Sequence, residues 1–513
     1  MGALEFAAGM KRIPDLIALL LSLIALGIVY QVTTVIYEGV PHVEDEVAYS
    51  WQAALYAEGQ LTTPTPPCPH CFLTPFVVDH DGLRFSKYPP GWAAALSLGV
   101  RLDLRDWVNP ILAALCIWFT YRLASRFTNR ATGLIAALLT LTSPFFLLNA
   151  GTLLAHLWSF FLTLAWTIAW IDSTRLENPV PRWLSILVAG LSLGLLALTR
   201  PLTAIGVAIP FFIHGLILLL TKSGPAKKAV SLIAAITGVV AGLFFVWQYA
   251  VTGDFLLNPY TLWWPYDKIG FGPGIGVQEG GHNLYWAWVN LRQSLNAGIS
   301  DLFGWTGISW LFMPVGLLAL RKTRAAWTTL AIAPSLMATY MLYWVGAVVF
   351  GPRYYFEGLI SATLLSAAGI SWLAGNLTDA AVAPAPHWLS RLRFALTAAV
   401  VVLLISVNLL NYLPVRLGGM FQLYGASRQQ LAPFKTDAAR ELTPALIFVH
   451  RQQNWREYAT LLELSSPLLN SPFVFVFSRS EADNQKVINS FPNRSIWHYY
   501  PDEPYRFYTA PRP

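Results

Sequence analysis

Long apolar runs, each about 16 to 24 residues and separated by short basic clusters, dominate this chain. An α-helix of that length crosses a hydrocarbon core of roughly 30 Å while making all its backbone hydrogen bonds internally. The runs lie at about 14–36, 107–122, 131–149, 153–171, 183–199, 202–221, 229–250, 301–320, 326–349, 355–374 and 394–413. The chain therefore predicts an all-α polytopic membrane protein with about eleven spans. Only 12% of its 513 residues are charged, about half the share of a soluble domain. Most of the chain is thus expected to face a lipid bilayer or a packed interior.

The basic clusters then set the expected orientation. Lys11 and Arg12 precede the first run, so the N-terminus is expected in the cytoplasm. Counting spans puts Arg122, Arg126 and Arg130, then Arg175 and Arg182, then Lys222, Lys227 and Lys228, on that side. Arg321 to Arg324, and Arg391 with Arg393, follow suit. The net charge of +7 is accounted for by these loops and carries no nucleic-acid signal. The first run lacks a small-residue cleavage site before the acidic loop and is read as a retained helix. The short run at 91–100 cannot span and is expected at the interface.

Two polar stretches fall outside the membrane in this scheme, 38–105 and 251–300, within a membrane domain of 1–414. Residues 415–513 change character. The runs 445–449, 473–477 and 495–500 predict strands and 481–491 a helix, so a small extracytoplasmic α/β module is expected.

The first outer stretch holds the most chemistry. Pro41-His-Val-Glu-Asp-Glu-Val-Ala-Tyr49 places Glu44, Asp45 and Glu46 at the start of a helical pattern. One reading is a hydrated loop that caps the helix. The other is a general base, kept ionised by the helix dipole. Ser86-Lys-Tyr-Pro-Pro-Gly-Trp92 adds Lys87 and Tyr88. Leu198-Thr-Arg-Pro201 adds Arg200, and Phe350-Gly-Pro-Arg-Tyr-Tyr355 adds Arg353 and Tyr354. Lys87, Arg200 and Arg353 are among the few basic residues expected outside near helix ends. They suit either snorkelling toward lipid headgroups or gripping a phosphate. His156 lies one turn into its run, where packing competes with a role at a phosphate or acceptor.

Asn258-Pro-Tyr-Thr-Leu-Trp-Trp-Pro-Tyr-Asp267 predicts an aromatic interfacial loop over a cavity, with Asp267 and His282 as further polar candidates. Gly272-x-Gly274-x-Gly276 is no dinucleotide fingerprint, because no strand precedes it. Cys68-Pro-His-Cys71 suits a local disulfide outside the cell; a zinc site with His70 or His80 competes with it. Cys116 is expected to be inert packing.

Asp45-Glu46-x-x-Tyr49 after a first helix resembles the first-loop motif of the class C (GT-C) membrane glycosyltransferases. It is most similar to the bacterial relatives of the protein O-mannosyltransferases and of the lipid A aminoarabinose transferase. The Lys87 segment, the Arg200 segment, the Gly-x-Arg-Tyr element at Arg353 and the segment ending at His156 also resemble that family, over roughly residues 10–375. The resemblance implies a GT-C fold and a polyprenyl-phosphate sugar as donor. It implies Asp45 as the catalytic residue, flanked by Glu46 and Glu44, and Lys87, Arg200 and Arg353 as donor-phosphate ligands. It further implies transfer of a monosaccharide, in a mannosyltransferase-like way, to an acceptor hydroxyl by a single inverting displacement. The acceptor would be a glycan, a lipid or a protein. No cofactor is expected; a divalent metal would be a bystander to the chemistry. A transporter or flippase of lipid-linked sugars, and a polysaccharide ligase or polymerase, are the competing readings. Inverted repeats and broken midplane helices, which would favour the transporter, are not evident in the sequence.

Overall fold

The computed structural model describes residues 2–174, 182–221, 224–377, 386–450 and 456–512, with side chains from residue 13 onward. Arg175 and Lys222, used above for sidedness, lie outside the described residues.

The long helices are α1 (Gly2–Gln31), α4 (Arg105–Phe127), α5 (Arg130–Leu141) with α6 (Pro144–Ala150), α7 (His156–Thr174), α8 (Arg182–Thr199), α9 (Pro201–Thr221) and α10 (Pro225–Thr252). After them come α12 (Leu284–Asp301), α13 (Met313–Leu320), α14 (Arg324–Leu330), α15 (Ile332–Tyr340), α16 (Leu359–Leu373) and α17 (His387–Val407). α1 packs on α4, α8 on α7 and α10, α9 on α15, and α13 on α16. α10 and α17 leave most of their apolar side chains outside the packed interior, as lipid-facing helices do. The chain is a multi-pass membrane protein.

Among the described residues, seven helices are long and apolar enough to cross a membrane, and nine if each bent pair counts as one span. Two of the eleven expected runs are not among these helices. The run at 153–171 forms α7, whose side chains are buried almost all round. It faces protein rather than lipid, so it carries Ser159, Thr163 and Thr167, whose hydroxyls bond back to carbonyls four residues earlier. The run at 326–349 is not one helix. It breaks at Ala331 and ends at Tyr340, and the chain beyond is irregular as far as Arg353.

Two further runs are bent. Ser143-Pro144 turns the chain by 60° between α5 and α6, because proline cannot continue the helical hydrogen bonds. The 251–300 stretch, expected as loop, is helical from Leu284, where the Asn283 side chain caps the first turn. That helix meets the following segment at 107°.

The first outer stretch folds into α2 (Glu44–Ala57), a three-stranded sheet and α3 (Pro90–Arg101). The strands β1 (Thr63–Pro64), β2 (Val77–His80) and β3 (Leu83–Ser86) pair antiparallel in the order β1-β3-β2. Asp81 and Gly82, at φ 48° and 78°, form the tight turn between β2 and β3. An Asp-Gly pair suits that mirror-image turn. The hairpin delivers Ser86, Lys87 and Tyr88 directly to the start of α3.

In the C-terminal segment β4 (Ala445–Val449), β5 (Phe473–Phe477), β6 (Ser495–Tyr499) and β7 (Phe507–Tyr508) form a sheet of order β5-β4-β6-β7. The first three strands are parallel and β7 is antiparallel. One face buries Phe434, Tyr458 and Leu461. The other packs Leu446, Phe448, Val474 and Val476 against Cys68, Cys71 and Phe72 of the first outer stretch. Cys68 and Cys71 are joined as a disulfide, and Cys116 is buried and unpaired.

Candidate active site

α2 begins with three acids that point in different directions, since successive helical residues are about 100° apart. Glu46 turns back. Its Oε2 accepts from the backbone N–H of His42 at 2.8 Å and of Val43 at 3.2 Å, and its Oε1 from Leu153 N–H at 2.8 Å. It therefore caps its own helix and ties it to the turn before α7. Burial pushes its carboxyl up to about 7, against the pull of the three amides. Both oxygens of Glu46, expected as a catalytic residue beside Asp45, are thus taken by backbone amides, and 1% of the residue is exposed. Glu44 lies at the outer edge, 3.9 Å from Arg456 of the C-terminal segment.

Asp45 faces inward. Its Oδ1 accepts a 2.6 Å hydrogen bond from the Tyr88 hydroxyl, and its Oδ2 lies 3.5 Å from Arg353 Nη2. Its side chain retains 25% exposure. Burial pushes the carboxyl up. The Arg353 guanidinium, the Tyr88 hydroxyl and Lys87 outweigh it and hold the group below the usual carboxylate range. Tyr49, one turn on, stacks on Tyr88 at 4.5 Å between ring centroids.

Lys87 leaves the hairpin into an aromatic enclosure. Its Nζ lies 3.8 Å from the Phe76 ring centroid, 4.7 Å from Trp264 and 4.9 Å from Tyr260. Its ion partner is Asp267 Oδ2 at 3.2 Å. Burial pushes the ammonium down, and Asp267 and Asp45 act against it. Asp267 Oδ1 accepts from the Tyr343 hydroxyl and the Trp344 indole N–H, each at 3.1 Å. The broken end of α15 thus holds the second outer loop against the first.

Arg200 occupies the break between α8 and α9. Its Nη1 donates to Glu357 Oε1 at 2.9 Å and its Nη2 to the Tyr340 hydroxyl at 3.0 Å. Tyr340 stacks on Tyr354 at 5.0 Å, which puts the Arg200 group beside Arg353. Arg353 starts a 3-10 turn after Pro352, and its Nε has no hydrogen-bond partner among the described residues. His156 is buried at the start of α7 with its ring edge toward Phe356, and its Nδ1 is likewise unpartnered.

The structure thus brings Asp45, Tyr49, Tyr88, Lys87, Asp267, Arg353, Tyr354 and Arg200 into one connected cluster. His282 lies apart from it. His282 is buried, its Nε2 is 2.9 Å from the Met341 carbonyl, and its ring stacks on Phe271. That placement fastens the second outer loop to the end of α15. Sequence reasoning missed Glu357, Tyr340, Tyr343 and Trp344. Glu357 carried a signal: an acid inside an apolar run calls for a partner. Among the described residues, Cys68, His70 and Cys71 form the one cluster with metal-ligand spacing, and its two sulfurs are committed to each other.

No family model matches the sequence, and no curated protein matches it. Solved structures do. The chain superposes on ArnT from Cupriavidus metallidurans in its apo state with a TM-score of 0.58 at 15% identity, over 96% of this chain and 89% of that one. The GT-C fold is therefore the fold of this chain. ArnT bound to undecaprenyl phosphate gives 0.57 at 14% identity, over 96% and 90%. The oligosaccharyltransferase of Archaeoglobus fulgidus aligns at a TM-score of 0.49 and 15% identity, over 93% of this chain and 64% of its own; that likeness carries no argument. Within the GT-C fold of this chain, the cluster occupies the junction of the first outer stretch, the second outer loop and the starts of α9 and α16.

Proposed function

We propose that this protein is an integral-membrane glycosyltransferase that moves a monosaccharide from a polyprenyl-phosphate donor to an acceptor hydroxyl. The observation that carries the reading is the Asp45 carboxylate, ionised, partly open and flanked by Arg353, with Lys87 in the adjoining enclosure. A solved ArnT structure holds undecaprenyl phosphate, which supports a lipid phosphate as the ligand class.

In the reaction, Asp45 accepts a hydrogen bond from the acceptor hydroxyl and takes its proton as the oxygen attacks the anomeric carbon. The bond from that carbon to the phosphate oxygen breaks, and the electron pair leaves with the lipid phosphate. A low-pKa carboxylate is a weak base, and it suffices because phosphate is a good leaving group. Arg353, Lys87 and Arg200 supply positive charge where negative charge develops. One displacement inverts the anomeric centre. This scheme routes no step through a metal.

An apolar cavity of about 390 Å³ lies between α12, α13, α15 and α16, with Pro352, Tyr355 and Gly358 in its wall. It backs onto the turn that carries Arg353 and suits an isoprenoid tail. In this reading the N-terminus lies in the cytoplasm, the cluster lies outside, and residues 415–513 form a module over the outer face.

The test offers a panel of radiolabelled polyprenyl-phosphate monosaccharides and a cell-envelope extract to protein in lipid nanodiscs. Wild type is expected to transfer one sugar. Asp45→Asn is expected to keep donor binding and lose transfer by about a thousandfold or more. Donor binding without transfer in either protein, across several extracts, would turn the reading toward a transporter.

A further inference from the structure

α2 is a wall with two sides. Asp45, Tyr49 and Gln52 look toward Tyr88 and the catalytic cluster. Val47, Ser50, Trp51 and Ala54 project from the opposite side of the helix and line a separate cavity of about 510 Å³. That volume falls within the roughly 300–1,000 Å³ of small-molecule sites. Nothing in the mechanism above uses it.

Three half-buried aromatic rings line this cavity: Trp51 from α2, Tyr30 from α1 and Trp107 from α4. Tyr30 and Trp107 are stacked with centroids 4.2 Å apart, which holds both rings in fixed orientation. Polar groups share the lining. Arg105 is held in place by Glu463 at 2.6 Å, the Gly39 carbonyl at 2.6 Å and Asp106 at 3.1 Å. Asp103 stands exposed at the rim. Three carboxylates against one guanidinium leave the lining two negative charges in surplus. The carboxylates do not converge as metal ligands do.

Aromatic rings together with carboxylates and a guanidinium in one lining match a sugar, whose C–H faces stack and whose hydroxyls hydrogen-bond. The negative surplus disfavours phosphates and uronic acids. Tyr30 and Trp107 sit near ends of the membrane-capable helices 13–36 and 105–127, so the cavity lies near the expected bilayer boundary. Residues 459–467 of the C-terminal segment close it from the other side. We propose that this cavity is a second, non-catalytic glycan site that binds a neutral or amino sugar. The inference stands on the lining alone and does not need the transfer chemistry.

The experiment measures saturation-transfer NMR on the full-length protein in nanodiscs. The probes are cellobiose, the glucosamine disaccharide and cellobiouronic acid, plus a monoglucosyl diacylglycerol placed in the nanodisc. Cellobiose and the glucosamine disaccharide are expected to bind and cellobiouronic acid at least about fivefold more weakly. Binding of the free disaccharides marks a soluble glycan as the source; binding confined to the glucolipid marks a lipid headgroup. Trp51→Ala is expected to weaken binding about fivefold or more. Asp103→Asn, at an exposed position, is expected to restore the uronic acid. Asp45→Asn is expected to leave all three affinities unchanged. No signal from any sugar overturns the proposal, as does binding that Trp51→Ala leaves intact. Binding lost in Asp45→Asn but kept in Trp51→Ala overturns it too, by moving the sugar to the catalytic side of α2.

Discussion

The Lys87–Asp267 pair gives the sharpest test, because stability and phosphate binding should move in opposite directions. The two side chains are 3% and 1% exposed and 3.2 Å apart. Removing one member of a buried pair strands the other and costs roughly 3–5 kcal/mol. The two single changes are not equivalent. In Lys87→Met, Asp267 keeps the Tyr343 hydroxyl and the Trp344 indole, so the loss should lie near about 3 kcal/mol. In Asp267→Asn, Lys87 is left among aromatic rings and an amide, with Asp45 as its remaining, more distant carboxylate, so the loss should lie nearer about 5 kcal/mol. The double variant buries no unpaired charge and should recover about 2 kcal/mol or more of the summed losses. Unfolding in nanodiscs, followed by tryptophan fluorescence, ranks the four proteins. Undecaprenyl phosphate binding is then measured on each. Lys87→Met and the double variant should lose affinity. Asp267→Asn should keep or gain it, since its lysine no longer has a competing carboxylate. Losses that simply add would refute the coupling. A fall in phosphate affinity in Asp267→Asn as large as in Lys87→Met would refute the role given to Lys87.

Three other outcomes follow from the same geometry. The Asp45 carboxyl is held below its ordinary 3.8, so it stays ionised as pH falls and the acid limb of kcat/KM should lie below about pH 4; an acid limb near pH 7 would instead make Glu46, at about 7, the base. Glu357→Gln removes the carboxylate facing buried Arg200 and should cost roughly 3–5 kcal/mol in unfolding measurements; an unchanged midpoint would show that Tyr340 alone suffices. Phe72→Ala empties a site between the disulfide turn and the C-terminal sheet, and should cost about 3–5 kcal/mol and speed limited proteolysis of residues 415–513; unaltered cleavage would mean that this face does not hold the sheet.

The membrane class and most spans were legible because lipid imposes a length and a composition on each helix separately. Two runs depart from that pattern in the structure. α7 is buried in protein, so it is free to carry hydroxyls that lower its apolar signal, while the 326–349 run is apolar but breaks at Ala331 and ends at Tyr340 beside the site. Asp45, Lys87, Arg200 and Arg353 stand out in the sequence as rare charges near the ends of apolar runs, and the structure gathers them into one cluster. Their partners were harder. Asp267 is 180 residues from Lys87 and Glu357 is 157 from Arg200, and no local pattern links residues so far apart. The division of labour between Asp45 and Glu46 had a local signal that went unused: Glu46 is the third helical residue, the position whose side chain returns to cap the helix.

Each cation expected to meet the donor phosphate already faces a carboxylate: Arg353 with Asp45, Lys87 with Asp267, Arg200 with Glu357. Formally the cluster is neutral, which is how three cations can be buried together at all. The pairs differ in how firmly they are closed. Lys87–Asp267 and Arg200–Glu357 are short, and their carboxylates are almost wholly buried. Asp45–Arg353 is 3.5 Å long, its carboxylate is the most exposed of the three, and Arg353 has an unspent Nε. An entering phosphate should therefore engage Arg353 first, where the existing contact is weakest and a donor is free. Doing so draws the guanidinium from Asp45 and raises the basicity of that carboxylate when the acceptor arrives. Binding the leaving group and readying the base would then be one event, centred on Arg353. Arg353→Lys, which keeps the charge but loses the fork, should lower kcat more than it weakens donor binding. A variant that loses only affinity would break that link.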